Sequence, residues 1–132
     1  TLSGDNLGVL VHATLAHDIA EIVADADLMQ MLMKCLLENA FKFTAKRAKA
    51  VIEFGAMEMS GRQVFFVRDN GAGFNMSDAA KLFIPFQRLH NQPEYEGPGL
   101  GLAIAQRIVG RHKGRIWAEG EPDNGATFYF SI

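Results

Sequence analysis

The chain has 132 residues, 48% of them hydrophobic and 21% charged, with a formal net charge of −2. That length suits one domain with a core that needs no metal or disulfide staple, and the single cysteine, Cys35, fits a reducing cytosol. No apolar run reaches the roughly 20 residues of a membrane span, no leader marks a signal peptide, and the acidic balance argues against nucleic acid.

Residues 1–6 read as a polar lead-in. From Leu7 to Ala24, alternation and β-branched residues predict two short strands or one bent strand. Asp27 to Thr44 predicts a helix, capped by Asp25 or Asp27, with apolar residues at Leu28, Met31, Leu32, Leu36, Ala40 and Phe43. The stretches AVIEFGAM and RQVFFVRD predict an antiparallel hairpin closed by a tight EMSG turn. SDAAKLF predicts a short helix with Ser77 at its N-cap.

No period fits Ile84 to Pro98, and with its flanks this span exceeds the roughly 12–15 residues that bound a structureless loop. Such a segment is expected to be functional or mobile. A second helix is predicted from Leu100 to His112, with Gly114 as its C′ stop. The chain closes with two alternating strands around Asn124-Gly125, a strong hairpin signal. Strand pairs before and after two long helices predict an α+β fold. It is expected to be a two-layer α/β sandwich, with a mixed, mostly antiparallel sheet covered on one face by helices.

Three features carry chemistry. Asp69 stands where a strand meets the glycine turn Asp69–Phe74. An ionised carboxylate only accepts hydrogen bonds, so at the base of a pocket it favours adenine, which offers an amine where guanine presents a carbonyl. Gly71 and Gly73 would let backbone approach a flat ring and take positive φ; read alone, the same letters also describe an ordinary turn. Gly97, Gly99 and Gly101 lead into the second helix, whose free N–H groups and positive dipole end suit phosphate oxygens; a flexible hinge is the plainer reading. Asn39 is polar among Leu36, Leu37, Ala40 and Phe41, and its amide oxygen suits Mg²⁺. Lys42 lies three residues on, on the same side of the helix, where it could meet phosphate; taken alone, a wet helix edge is the plainer reading of the pair.

In this order the motifs resemble the ATP-binding catalytic domain of sensor histidine kinases, in the GHKL class that also holds gyrase and MutL. LLENAFKFT resembles the N box, DNGAGF the first glycine box, LFIPFQRLH the phenylalanine box, GPGLGLAI the second glycine box and NGATFYF the closing strand motif. The resemblance covers Asp25 to Ile132, and FQRLHNQPEYEGPGLGLAI is similar to phytochrome-like and hybrid kinases in particular. It implies a single ATP-binding domain over 1–132, with an ATP lid at about 75–98. It implies that Asn39 coordinates Mg²⁺, that Lys42 contacts phosphate, and that Asp69 reads the adenine amine in a pocket shaped by Gly71, Gly73 and Phe74. Gly97, Gly99, Leu100, Gly101 and Leu102 would present the phosphate-binding backbone, and Thr127 the hydroxyl near adenine. Phe83 and Phe86 match the lid's aromatic anchors, or pack in the core. Arg88 matches a cation that reaches the γ-phosphate.

The implied activity is γ-phosphoryl transfer from Mg²⁺-ATP to a histidine on a separate helical dimerisation domain, with a response regulator downstream. A cytoplasmic location is expected, with no nucleic-acid or membrane contact. The full-length protein is expected to be a homodimer and the isolated domain a monomer. No segment here resembles the dimerisation and phosphoacceptor domain: AHDIAEI at His17 lacks the Arg and Pro of the acceptor context, and His12, His90 and His112 have no better one. Two departures remain. Cys35 stands one helical turn before Asn39, where GHKL hydrolases place a general-base Glu, and Glu38 is placed instead to pair with Lys42. Pro98 replaces a common Thr. Another GHKL ATPase or serine kinase, or a non-catalytic nucleotide-binding or interaction module, are the competing readings.

Overall fold

A computed structural model of the chain describes residues 9–14, 26–84 and 101–132. Among them the order is β1 (Val9–Thr14), α1 (Ala26–Phe43), β2 (Ala50–Met59), β3 (Arg62–Asp69), a 3₁₀ helix (Met76–Phe83), α2 (Gly101–Arg111), β4 (Arg115–Gly120) and β5 (Ala126–Ser131). The five strands form one sheet in the order β1-β2-β3-β5-β4. β1 runs parallel to β2, and every other pair is antiparallel. The expected mixed sheet under helices is therefore what forms.

Period explains which residues meet. Leu32, Leu36 and Ala40 recur every four residues on α1, and Leu102, Ala105 and Val109 fall three and then four residues apart on α2, which also keeps one face; all are buried. They pack on alternate residues of the sheet: Ile52 of β2, Phe65 and Val67 of β3, Ala118 of β4, and Phe128 and Phe130 of β5. Met31, expected on that face, is 48% exposed, because it falls one residue before the Leu32 row.

The opposite face of the sheet is not bare. Val64, Phe66 and Tyr129 form a second buried cluster with Met57 and Trp117 beside it. Trp117 stacks on Tyr129 at 5.3 Å, while the guanidiniums of Arg68 and Arg115 lie over Phe66 and Trp117 at 4.8 and 5.8 Å. All six residues of β5 are buried, so the predicted polar alternation is absent there.

The turns depart from expectation in detail. β2 and β3 are joined by Ser60-Gly61, whose φ angles of 52° and 78° suit a two-residue hairpin turn matched to strand twist. Between β4 and β5 the loop runs from Glu121 to Gly125, and the left-handed residues are Asp123 and Gly125, not Asn124. Ser77 does not cap the 3₁₀ helix; Asn75 precedes it, with no side-chain cap.

α2 ends in a Schellman arrangement, Lys113 donating to the Gly110 carbonyl and Gly114 to that of Val109. Lys113, with φ of 59°, therefore takes the left-handed C′ position expected of Gly114. Gly114 is glycine for another reason: a Cβ there would lie 1.9 Å from the Ser131 carbonyl oxygen. The described part of Leu7–Ala24 is the single strand β1; the rest of that span lies outside the described residues.

Two glycines of this corner should respond oppositely to alanine. A Cβ on Gly110, in helical conformation, meets nothing within 4 Å, so Gly110→Ala should stabilise by about 0.5–1 kcal/mol. Gly114→Ala should destabilise by roughly 1–3 kcal/mol, because backbone must move. Urea unfolding of both variants checks the pair.

Candidate functional site

The site begins at the C-terminal end of α1, where the last carbonyls of a helix need partners from outside it. Thr44 turns its hydroxyl back to the Ala40 carbonyl at 2.8 Å, and the Phe43 carbonyl accepts the Ala72 N–H at 3.0 Å. The glycine turn after β3 thus caps α1. That close approach requires Gly71, whose Cβ would sit 2.2 Å from the Phe43 oxygen. Gly73, at φ of 65°, has the Glu121 carbonyl where a Cβ would be. Gly125 is likewise pressed against the Asp69 carbonyl. All three close neighbours are backbone of this chain, so the glycines first serve the packing of the turn.

Asp69 ends β3 with only 5% of its surface exposed. Its Oδ1 accepts the Gly71 N–H at 2.8 Å. Burial pushes its carboxyl up to about 6, against the opposing pull of the Gly71 and Ala126 N–H groups and the Arg47 charge. A carboxyl held there at cost, with no ion pair among the described residues, is suited to work on a ligand.

Asn39 stands one helical turn before Phe43. Its amide nitrogen is buried and has no hydrogen-bond partner among the described residues, an arrangement that suits a polar ligand. Lys42 is the basic residue of the last turn of α1, with Nζ 5.3 Å from the Phe43 ring centre. α2 begins against the same stretch of α1, since a Cβ on Gly101 would lie 4.0 Å from the Cys35 carbonyl. Its first N–H groups therefore open near the Asn39 turn, and no acidic residue occupies the first turn of α2. Burial pushes the Cys35 thiol up, Glu38 adding and Lys34 opposing, so it stays a thiol at neutral pH. Glu38 lies 3.8 Å from Lys34.

Asn39, Lys42, Asp69, Gly71, Gly73 and Gly101 thus gather along the end of α1, the turn after β3 and the start of α2. Three other expected residues do not present side chains there. Thr127 pairs with Arg68 in the ladder, whereas Asp69 pairs with Ala126. Its hydroxyl consequently lies on the opposite face of the sheet, accepting the Arg68 Nε at 3.3 Å. The position beside Asp69 belongs to Ala126, which has no hydroxyl to offer. Phe74 is buried against Phe128 and under Gly120, and the Leu102 side chain is in the core. Phe83 also packs edge-on against Phe128, as its core reading expects. Phe86, Arg88, Gly97, Pro98, Gly99 and Leu100 lie outside the described residues, as do His17 and His90. His112 bonds its Nδ1 to the Ile108 carbonyl at 2.8 Å, as a helix-end residue.

Three residues that build the site were not among those expected to. Asn70 continues β3 by side chain, its Oδ1 accepting the Val51 N–H and its Nδ2 donating to the Lys49 carbonyl, both at 2.8 Å. Arg47 donates to the Gly71 carbonyl at 2.9 Å and to that of Asp123. Asp123 in turn donates its N–H to the Ala72 carbonyl at 2.8 Å. An apolar groove of about 610 Å³ also runs along α1 between Met29, Met33, Leu37 and Phe41, and none of the site residues line it.

The family model for histidine kinase-, DNA gyrase B- and HSP90-like ATPases matches residues 24–132. Cyanobacterial phytochrome A of Nostoc sp. is 40% identical over 121 residues, which are 91% of this chain and 16% of that protein. The adaptive-response sensory kinase SasA of Synechocystis sp. is 32% identical over 119 residues, 89% of this chain and 30% of that protein. The chain spans a minor part of each relative's length. Full-length ShkA, solved in complex with AMPPNP, has a TM-score of 0.78 at 28% identity, covering 93% of this chain and 25% of that one. The mycobacterial sensor histidine kinase MprB shares the fold, with a TM-score of 0.79 at 18% identity and coverage of 95% and 81%. The chain belongs to the histidine kinase-, DNA gyrase B- and HSP90-like ATPase family, on its sensor histidine kinase branch.

Proposed function

We propose that this domain binds Mg²⁺-ATP and presents the γ-phosphoryl group to a histidine on a separate helical dimerisation domain, from which a response regulator is phosphorylated. The observation that carries the reading is Asp69, a carboxyl buried at the end of β3 between the capped end of α1 and the β4–β5 loop. In this reading the carboxylate accepts the adenine amine, and a guanine carbonyl in its place would leave the acid unpaired.

At the phosphate end, the N–H groups opening α2 and the Lys42 ammonium bind the anionic oxygens. The buried Asn39 Nδ2, a donor with no partner among the described residues, suits a phosphate oxygen, and the Oδ1 of the same amide is the atom that would hold Mg²⁺, a metal that takes few protein ligands and completes its shell with phosphate and water. The metal, when bound, supplies charge neutralisation on the phosphates. The protein's contribution to transfer is positioning and charge, with the nucleophile arriving on another domain. Cys35, a thiol where hydrolases of the class carry a basic carboxylate, supports transfer to an acceptor over activation of water. Arg88 and Phe86 would complete the lid, and the whole protein would act as a homodimer in the cytoplasm.

Titration calorimetry with ATP and GTP tests the reading. ATP should bind and GTP should not compete, and Asp69→Asn should weaken ATP by about tenfold or more. GTP binding as well as ATP would remove the role of Asp69. Asn39→Ala should reduce the gain in affinity that Mg²⁺ brings. Equal metal dependence in both proteins would exclude Asn39 as a ligand.

The raised carboxyl of Asp69 makes two pH effects with opposite sign. Between about 4 and about 6 the folded protein holds a proton on Asp69 that the unfolded chain has released. Stability from this group is therefore full below about 4 and falls by about 3 kcal/mol as pH rises through 6. Urea unfolding should show this slope in the wild type and not in Asp69→Asn. ATP affinity should instead rise through pH 6, as the acceptor ionises. Subtracting the Asp69→Asn profile removes the titration of the phosphates themselves, and a residual difference without pH dependence would contradict the assignment.

A further inference from the structure

We propose that Arg47 is a positioning residue for the base end of the nucleotide site, its guanidinium latching the glycine turn after Asp69 to the β4–β5 loop. The inference rests on the nucleotide-binding reading and adds to it a residue that no family motif contains.

One terminal nitrogen of Arg47 donates two hydrogen bonds, to the carbonyls of Gly71 and Asp123. These partners lie 24 and 76 residues away in the chain, so the bonds tie together segments that share no local structure. The Gly71 unit is held from both ends: its N–H donates to Asp69 Oδ1 at 2.8 Å and its carbonyl accepts from Arg47 at 2.9 Å. The direction of that N–H fixes where the carboxylate points, so Arg47 acts on Asp69 through Gly71. Asp123 is held in the same way. It is a non-glycine residue at φ of 63°, a conformation that needs support from its surroundings. Its N–H donates to the Ala72 carbonyl, and its carbonyl accepts from Arg47. Both backbone groups of the left-handed residue are thus engaged by the purine-site turn and its latch.

Arginine suits this task because its planar head supplies two fixed donor directions from one nitrogen, and a charged donor makes stronger bonds to carbonyls. Its charge also draws the Asp69 carboxyl down against the effect of burial. Arg47 itself is surface-exposed, so its replacement by Met removes the two donors to the Gly71 and Asp123 carbonyls without opening a cavity in the core.

The test compares wild type, Arg47→Met and Arg47→Lys by calorimetry with ATP, AMP and inorganic tripolyphosphate, with thermal melting to confirm folding. Arg47→Met should lose roughly three- to tenfold in affinity for both ATP and AMP, the range expected for lost hydrogen bonds. Tripolyphosphate binding should be unchanged, and Arg47→Lys should recover part of the loss. Should Arg47→Met not fold, Arg47→Lys carries the test alone, with a smaller loss for AMP and none for tripolyphosphate. The latch is overturned if AMP and ATP bind the variants as they bind wild type. It is equally overturned if tripolyphosphate falls by the same factor, which would mark a general structural defect. Wild type that binds ATP beside an unaltered variant removes the latch alone; wild type that binds no nucleotide removes the site reading with it.

Discussion

An acid buried at the end of a central strand constrains everything near it. Asp69 is almost wholly withdrawn from water, and its surroundings return backbone N–H groups, that of Gly71 at 2.8 Å and that of Ala126. The return is incomplete, which is why its proton is held to about pH 6. To bring the Gly71 N–H within reach, the chain must turn back at once after β3, and the turn runs straight into the end of α1. The glycines are the consequence. At Gly71 the obstacle is the Phe43 carbonyl, at Gly73 the Glu121 carbonyl, and at Gly125 the carbonyl of Asp69 itself. A side chain at any of them would push apart the segments that surround the acid. The turn is rich in glycine because three backbones converge on one carboxylate.

How much of this was legible follows from the range of each interaction. The rows Leu32-Leu36-Ala40 and Leu102-Ala105-Val109 are local periods, so both helices and their buried faces could be read directly. The β2–β3 hairpin could too, because its turn chemistry lies within two residues. Thr127 was misplaced because a motif shows order but not parity. Only the ladder register, with Asp69 opposite Ala126, shows that the next residue faces away. Gly114 was read as the left-handed stop of α2, but its constraint comes from Ser131, seventeen residues on, while Lys113 takes the strained angle. Arg47 and Asn70 were invisible for the same reason. Their partners are distant in sequence: Arg47 has no local preference that would mark it, and the Asn-Gly letters at Asn70 signal a turn but not the Val51 and Lys49 groups its side chain reaches.

The displaced Thr127 belongs to a second structure on the far face of the sheet. Across the strands run two rows: Glu53, Arg68, Thr127 and Glu119, and beside it Gly55, Phe66, Tyr129 and Trp117. Arg68 joins them, bonding Glu53 at 3.1 Å and Thr127 at 3.3 Å while lying over the Phe66 ring. Cross-strand pairs of this kind stabilise a sheet one contact at a time. Here they also explain why β5 lacks polar alternation: its outward residues have aromatic and cationic neighbours in place of water. The strand that flanks Asp69 is thereby held from both faces.

The two ends of the proposed nucleotide site then differ in how they are built. At the base end, position is over-determined: Gly71 is bonded at both its N–H and its carbonyl, Asp123 likewise, and Asn70 replaces a strand residue with its side chain. Little can move there without breaking several bonds at once, as suits recognition of a flat ring by one directional hydrogen bond. At the phosphate end the binding groups would be a helix terminus, a lysine and an amide nitrogen with no partner among the described residues, several donors that share the charge of the phosphates instead of fixing one direction. On the proposed reading, a rigid socket for the purine beside a less directional cradle for the phosphates would let the γ-phosphoryl group be offered to an acceptor on another domain while the base stays anchored. The same division places the demand for exact geometry on the backbone of β3 and its turn, where Gly71 packs against the last carbonyl of α1 and Asn70 closes the strand with its side chain.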